Sequence, residues 1–447
     1  MRNALEPEWE ARLDQKQYGF RPGRGCHDAI EMVHRVLAAS NAKREWIIDA
    51  DLASAFDRID HTFLMGRIGW FPAREQIRQW LKAGVVDKGR FAPTEEGTPQ
   101  GGVISPLLLN IALQGMEEAA GVEYDYRGMV KAGRPTVITY ADDFVALCHS
   151  REQAQAVQAK VDTWLAERGL TLNKEKTAIR HVDDGFDFLS FTIRRYHPKG
   201  GGTKVLTRPS KEALARIRRG NAESLRSLRG ANVAAVIQVM NPKIRGQANY
   251  FRNGASKEAY QSLDEHLWQL IYKWIRHRHP HRSWKWVVNR YFGPFNSDRN
   301  DRWILGDRTS GAYLHKYAWT PIVRHAPVPG RNSPDDPDLA RYWSDRRRRR
   351  KPPQLAKSRL SAMRAQDGTC PLCGLPLLLD GDPPDSPSQW EHWYAAVGKV
   401  MTYTDITDSE NRTKYRLVHT GCARRQGDGT RPARTSRAGT RAPLRRA

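Results

Sequence analysis

Two short apolar runs, Thr136–Tyr140 and Phe144–Cys148, flank Ala141, Asp142 and Asp143 and predict a β-hairpin with an acidic pair at its tip. A further strand is predicted over Trp46 to Leu52, where largely apolar even positions alternate with Asp49 and Asp51 on the other face. Helical spacing predicts a helix from Glu152 to Glu167, with Ala156, Val157, Val161 and Leu165 on its apolar stripe. Gly200 to Thr203 breaks the pattern; a basic helix from Pro209 to Arg229 and a long helix around Leu263 to His277 follow. Residues up to about Arg195 therefore read as α+β and the next stretch as mainly helical.

The acidic pair sets the first chemical constraint. Adjacent carboxylates at a tight turn repel, and each raises the other's pKa, unless a cation holds them; a divalent metal is the obvious cation. Two-metal phosphoryl transfer needs at least one more carboxylate from a different strand, and Asp51, followed by Leu52 to Asp57, is the candidate.

In order and spacing, these segments resemble the reverse transcriptases encoded by bacterial group II introns. Tyr18 to Arg24 resembles the family's second conserved block and Asp51 to Asp57 its third. Gly97, Thr98, Pro99, Gln100, Gly101, Gly102 through Ser105, Pro106 and Asn110 resembles the fourth, and Tyr140 to Asp143 the fifth. Leu172, Asn173, Glu175, Lys176 and Thr177, then Phe188 and Leu189, resemble the sixth and seventh. The resemblance implies a right-hand polymerase: an α+β palm with an antiparallel sheet and helices, and a helical thumb. It also implies two Mg²⁺ ions held by Asp51 and Asp142 with Asp143 assisting, and substrate contacts from Arg21, Phe56, Gln100, Gly101, Tyr140 and Lys176. Phe56 would exclude a 2′-hydroxyl, and the glycines around Gln100 would let backbone approach the nucleotide. Asn241, Pro242, Arg245, Gly246, Asn249 to Arg252 and the long helix after them resemble the family's maturase segment, which implies intron RNA binding through Arg245 and Arg252.

Plainer alternatives stand beside these. Asp60 reads best as a helix cap or solvated turn. Phe56 alone is more often core, and Arg21 with Arg24 alone more often an exposed basic edge. Tyr250, Phe251, Trp268, Tyr272, Trp274, Trp284 and Trp286, interleaved with cations, suit base stacking but equally suit a packed helical core. Composition fits a nucleic-acid partner: 73 Lys and Arg against 49 Asp and Glu, a net charge of +24. No apolar run is long enough to span a bilayer, and five cysteines are too few for a disulfide scaffold.

Six consecutive cations, Arg346 to Lys351, read as a linker. Beyond it Cys370 and Cys373, with His419 and Cys422, form paired spacings that fit a structural Zn²⁺. The arrangement resembles the HNH endonuclease module of many group II intron proteins but departs from it. Glu391, His392, Trp393 replaces the expected double histidine, Ala423 stands where a second metal-ligating histidine is expected, and Asn411 keeps the middle position. The module is therefore predicted to be a zinc-stapled DNA-binding remnant, poor at cleavage. From Arg424 to Ala447 eight Arg face one Asp, a tail predicted to stay disordered and bind phosphate.

The expected domains are 1–195, palm with partial fingers; 196–345, thumb and maturase; 346–365, basic linker; 366–426, HNH-like zinc module; and 427–447, tail. Relatives carry fingers sequence upstream of the block that opens at Tyr18, so an N-terminal truncation is expected. Expected partners are intron RNA, an RNA template with a DNA primer, dNTPs and target DNA, with no membrane. A homodimer is allowed, and a nucleoid-associated ribonucleoprotein in the cytoplasm is the expected setting. Polymerase, RNA-binding maturase and, least favoured, DNA endonuclease are the functions in play.

Overall fold

A computed structural model describes residues 1–427 apart from 40, 88–89, 93, 100, 350–354, 356, 376, 379–383, 385 and 408–412. Gln100, Arg350, Lys351, Asn411 and the tail from residue 428 lie outside the described residues.

The chain divides into two compact units, residues 1–351 with 382–391, and residues 352–381 with 392–447. The first is built on a four-stranded antiparallel sheet in the order Thr136–Tyr140, Asp143–Cys148, Trp46–Asp51, Ala178–His181. Helices pack on it, so Ile47 and its neighbour Ile48 are both buried although they point to opposite faces. The Ser105–Leu113 helix lies deep in the same core, and the Arg151–Ala166 helix packs on three of the strands. This is the α+β palm expected from the pattern. The hairpin strand begins one residue early, at Asp143. The buried stripe of Arg151–Ala166 is Ala154, Val157, Val161 and Leu165, with Ala156 exposed, because steps of three and four residues from Val157 lead back to 154 rather than 156.

A second sheet joins Phe186–Phe188, Phe191–Tyr196 and Lys204–Pro209. The expected boundary after residue 195 falls inside one of its strands, because cross-strand pairing ties 191–196 to 204–209. Helices Lys211–Ser227, Val233–Phe251 and Lys257–Arg278 follow, with the first and third packed together. Ser210 and Asn232 cap the first two by accepting a bond from the third backbone N–H beyond, and Asp60 caps His61–Ile68 in the same way. Asp60 is thus the helix cap its sequence favoured.

Apart from Leu355, the expected linker is helical where it is described, as Ala340–Arg349 and Lys357–Ala365. Arg346 belongs to the first unit and lies 3.6 Å from Asp28. In the second unit Met401–Thr407 pairs antiparallel with Thr413–His419, which leads directly into the Thr420–Gly427 helix. Among the described residues no helix is long and apolar enough to cross a membrane.

Candidate active site

Strand register assembles the carboxylates. Asp51 ends its strand directly opposite Asp143, and Asp143 is in turn opposite Tyr140 across the hairpin. The two-residue turn between them is Ala141–Asp142, with Ala141 in the left-handed region at φ 56°. Leu52 N–H donates to the Asp142 carbonyl at 3.1 Å, so the strand carrying Asp51 also grips the turn. Three half-buried carboxylates from two distant segments therefore share one sheet end.

Their electrostatics are strained without a cation. Burial, then the charges of Asp142 and Asp51, pushes Asp143 up to about 7, and burial with Asp51 also raises Asp142. The neighbouring Asp49 is pushed to about 6 by burial, although Arg180 lies 4.0 Å away. Lys176 Nζ sits 2.6 Å from Asp51 Oδ2, and its own pKa is raised by that contact. Arg216 and Lys243 join Lys176 in the cleft that Asp51 and Asp143 line, but Asp49, Asp187, Glu212 and Glu391 line it too, so acidic side chains outnumber cations there.

The turn is held from behind by residues to which sequence reasoning gives no role. A Cβ on Gly19 would lie 2.2 Å from the Ala141 nitrogen, so only glycine lets this segment rest on the turn. Tyr18 N–H donates to the Thr139 carbonyl at 2.8 Å and Thr139 N–H to the Lys16 carbonyl at 2.9 Å, while Asn110 Nδ2 donates to the Gly19 carbonyl at 2.8 Å. The glycine and asparagine of the second and fourth blocks were the available signal, but their partner Ala141 is far away in sequence. A comparable contact seats Gly97, φ 78°, where an added Cβ would lie 2.4 Å from the Asp57 carbonyl carbon. That loop backs the turn bearing Phe56, which is half-buried against the palm core and meets the exposed ring of Phe20 edge-on at 6.1 Å.

Arg21 is a correction. Its guanidinium is fully buried, paired with Glu10 at 2.7 Å and donating to the carbonyls of Asp14 and Gln17. These partners absorb its donors, so it is neither a substrate contact nor an exposed edge. Arg24 is buried too, donating to the carbonyls of Gly330 and Asn332, and burial lowers its pKa to about 10. Gly101 is exposed with φ 83°, and Tyr140 is half-buried at the hairpin. Arg245 and Arg252 are half-buried on and just beyond the Val233–Phe251 helix, not on open surface. Of the interleaved aromatics, Tyr250, Phe251 and Trp274 are core, whereas Tyr272 and Trp284 are exposed.

In the second unit, the ligand atoms of Cys370, Cys373, His419 and Cys422 all lie within 4.8 Å of one another, with Cys373 Sγ 3.4 Å from His419 Nδ1. His419 closes the second strand and Cys422 opens the helix after it, so the hairpin delivers two ligands and the 370–373 turn the other two. Three thiols and one imidazole at this spacing are a tetrahedral donor set of the kind zinc takes. His392 is exposed and outside this cluster, while Trp393 and Ala423 pack on the unit's apolar core.

Residues 1–193 match the family model for reverse transcriptase (RNA-dependent DNA polymerase), and residues 213–292 match the group II intron, maturase-specific domain. The chain joins a reverse transcriptase domain to a group II intron maturase-specific domain. Its reverse transcriptase domain carries the carboxylates, and its maturase-specific domain the three long helices. Protein YkfC of Escherichia coli strain K12 is 34% identical over 241 residues, 47% of this chain and 63% of that protein. The group II intron-encoded protein LtrA of Lactococcus lactis subsp. cremoris is 27% identical over 254 residues, 43% of this chain and 42% of LtrA. The chain thus spans less than two thirds of either relative's length. Among solved structures, a telomerase from Candida albicans in complex with a telomeric RNA fragment matches at 11% identity and a TM-score of 0.34, covering 62% of this chain and 50% of that one.

Proposed function

We propose that this reverse transcriptase/maturase is an RNA-directed DNA polymerase that extends a DNA primer on intron RNA, using dNTPs, and that it binds the same RNA to assist splicing. The observation that carries the proposal is the opposition of Asp51 and Asp143 beside Asp142 at one sheet end. Raised carboxylate pKa values there fit a site completed by cations, and Asp51, Asp142 and Asp143 would hold two Mg²⁺. Bound there, the ions would supply Lewis-acid stabilisation of the primer 3′-hydroxyl and of the departing pyrophosphate.

The chain's own residues do the positioning. Lys176, on an exposed stem, pairs with Asp51 at 2.6 Å and is placed where it would meet a nucleotide phosphate. Phe56, backed by the Gly97 loop and flanked by Phe20, forms a ring wall suited to excluding a 2′-hydroxyl. Gly101 follows in the same loop. Cys370, Cys373, His419 and Cys422 would hold a structural Zn²⁺. Trp393 and Ala423, packed into the core, support a DNA-binding rather than a DNA-cutting role for that unit.

Primer extension on an RNA template with dNTPs and Mg²⁺ at low salt tests this. Asp142→Ala should lower the rate at least about a hundredfold, given the several kcal/mol a metal ion contributes to such transition states. Extension indifferent to that substitution would sink the site assignment. Splicing that survives it would separate the RNA-binding role from polymerisation.

A further inference from the structure

The far end of the maturase-specific domain carries an aromatic patch that neither the palm site nor the helical core uses. Trp268 on the Lys257–Arg278 helix is its hub, with ring contacts to Trp284 at 6.1 Å, Phe292 at 5.0 Å and Trp303 at 5.9 Å. Tyr272, one turn along, meets Trp284 at 5.4 Å. Phe292 is buried beneath, but the rim is open: Tyr272 is 44%, Trp284 37% and Trp303 50% exposed. Three exposed rings, linked through Trp284 and the half-buried Trp268 over the buried Phe292, form a surface cluster, and such exposed apolar clusters mark binding sites.

Charge selects the occupant. Each exposed ring has an exposed cation as its chain neighbour: Lys273 beside Tyr272, Lys285 beside Trp284 and Arg302 beside Trp303. From residue 266 to 297 the chain has six Lys or Arg and no Asp or Glu. Asp301, two residues before Trp303, is paired with Lys316 at 2.7 Å. A membrane or apolar protein partner would not need a cation at every ring, whereas a polyanion presenting flat apolar faces would. Unpaired nucleotides have that chemistry, with bases to stack and phosphates to neutralise, while a duplex hides its base faces.

We infer that Tyr272, Trp284 and Trp303 form a stacking platform for an unpaired stretch of RNA, distinct from the primer-template cleft. The inference rests on the proposed RNA-binding role and places part of it at the end of the thumb, partly beyond the maturase-specific match. The platform holds two or three bases, and its neighbouring cations follow the backbone.

The test is equilibrium binding of the full chain to a labelled single-stranded 12-nucleotide RNA and to the same RNA as a duplex, at fixed salt. Trp303→Ala and Trp284→Ala should each weaken single-strand binding about five- to a hundredfold, the usual cost of losing one stacked base, and leave duplex binding nearly unchanged. Trp303→Phe, which keeps a ring, should restore most of the affinity. Equal losses on both RNAs, or alanine variants that stay folded by circular dichroism and bind single strands like the parent, would overturn the platform. A parent chain that binds neither RNA would instead overturn the RNA-binding role itself.

Discussion

The carboxylate site and the cysteine cluster are both predicted to take metal, yet the fold supports them in opposite ways. The palm brings Asp51 to Asp143 by cross-strand register and backs the turn with Gly19 and Asn110, over a core of 31 buried apolar residues among those described. Among the described residues of the second unit that core numbers seven, and two of them are the ligands Cys370 and Cys422 themselves. The first site is a cavity a scaffold can hold vacant at some electrostatic cost; the second is part of the scaffold. Small units with so little to bury usually need a staple.

The largest effect should come from removing that staple. Chelation, or Cys370→Ser, should unfold the second unit outright, since structural zinc contributes about 10–16 kcal/mol in small finger peptides. Limited proteolysis should then digest residues after 352 while fragments of the first unit persist. A second unit that stays protected without zinc would erase the contrast.

Next in size is an attack on the palm that avoids its carboxylates. Glu10→Gln leaves the Arg21 charge buried and unpaired and should cost about 3–5 kcal/mol in denaturant unfolding of the first unit. An effect below about 1 kcal/mol would mean the neighbouring carbonyls alone satisfy Arg21.

The smallest effect is a pH dependence. The folded Asp143 pKa, about 7, stands above its ordinary value of 3.8, so the folded palm binds this proton more tightly than the unfolded chain. Without metal, the stability contributed by this proton is present at acid pH and is lost as pH rises through the window from 3.8 to about 7. Mg²⁺ should flatten that dependence and should itself bind more weakly as pH falls below about 7. Thermal unfolding across this pH range, with and without Mg²⁺, reads both; a metal-free palm that gains stability as pH rises would contradict the assignment.

Much of the palm was legible because period-two alternation and a two-residue turn are local signals, as the hairpin at Ala141 and the strand at Trp46 show. The cysteine pairs were legible for the same reason. What local pattern could not convey was burial decided at long range. Arg21 looks like a surface cation until Glu10 and the Gln17 carbonyl close around it, and Gly19 looks like loop filler until Ala141 arrives from across the fold. The thumb aromatics defeat local reading too: Trp274 donates to the Leu228 carbonyl in the core, whereas Trp284, ten residues on, faces solvent.

Two buried charged residues, Arg24 and Asp28, also set a timetable. Beside its local contact with Glu10, Arg24 donates to the carbonyls of Gly330 and Asn332, and Asp28, which locally accepts from the Gly25 N–H, also meets Val328, His325 and Arg346 about three hundred residues later. At about 5–20 residues per second of synthesis, these side chains wait tens of seconds on the ribosome for partners that do not yet exist. The opening segment should therefore be among the last parts of the first unit to become protected, and nascent chains stalled before residue 320 should be cleaved near Arg24 whereas those released at full length resist.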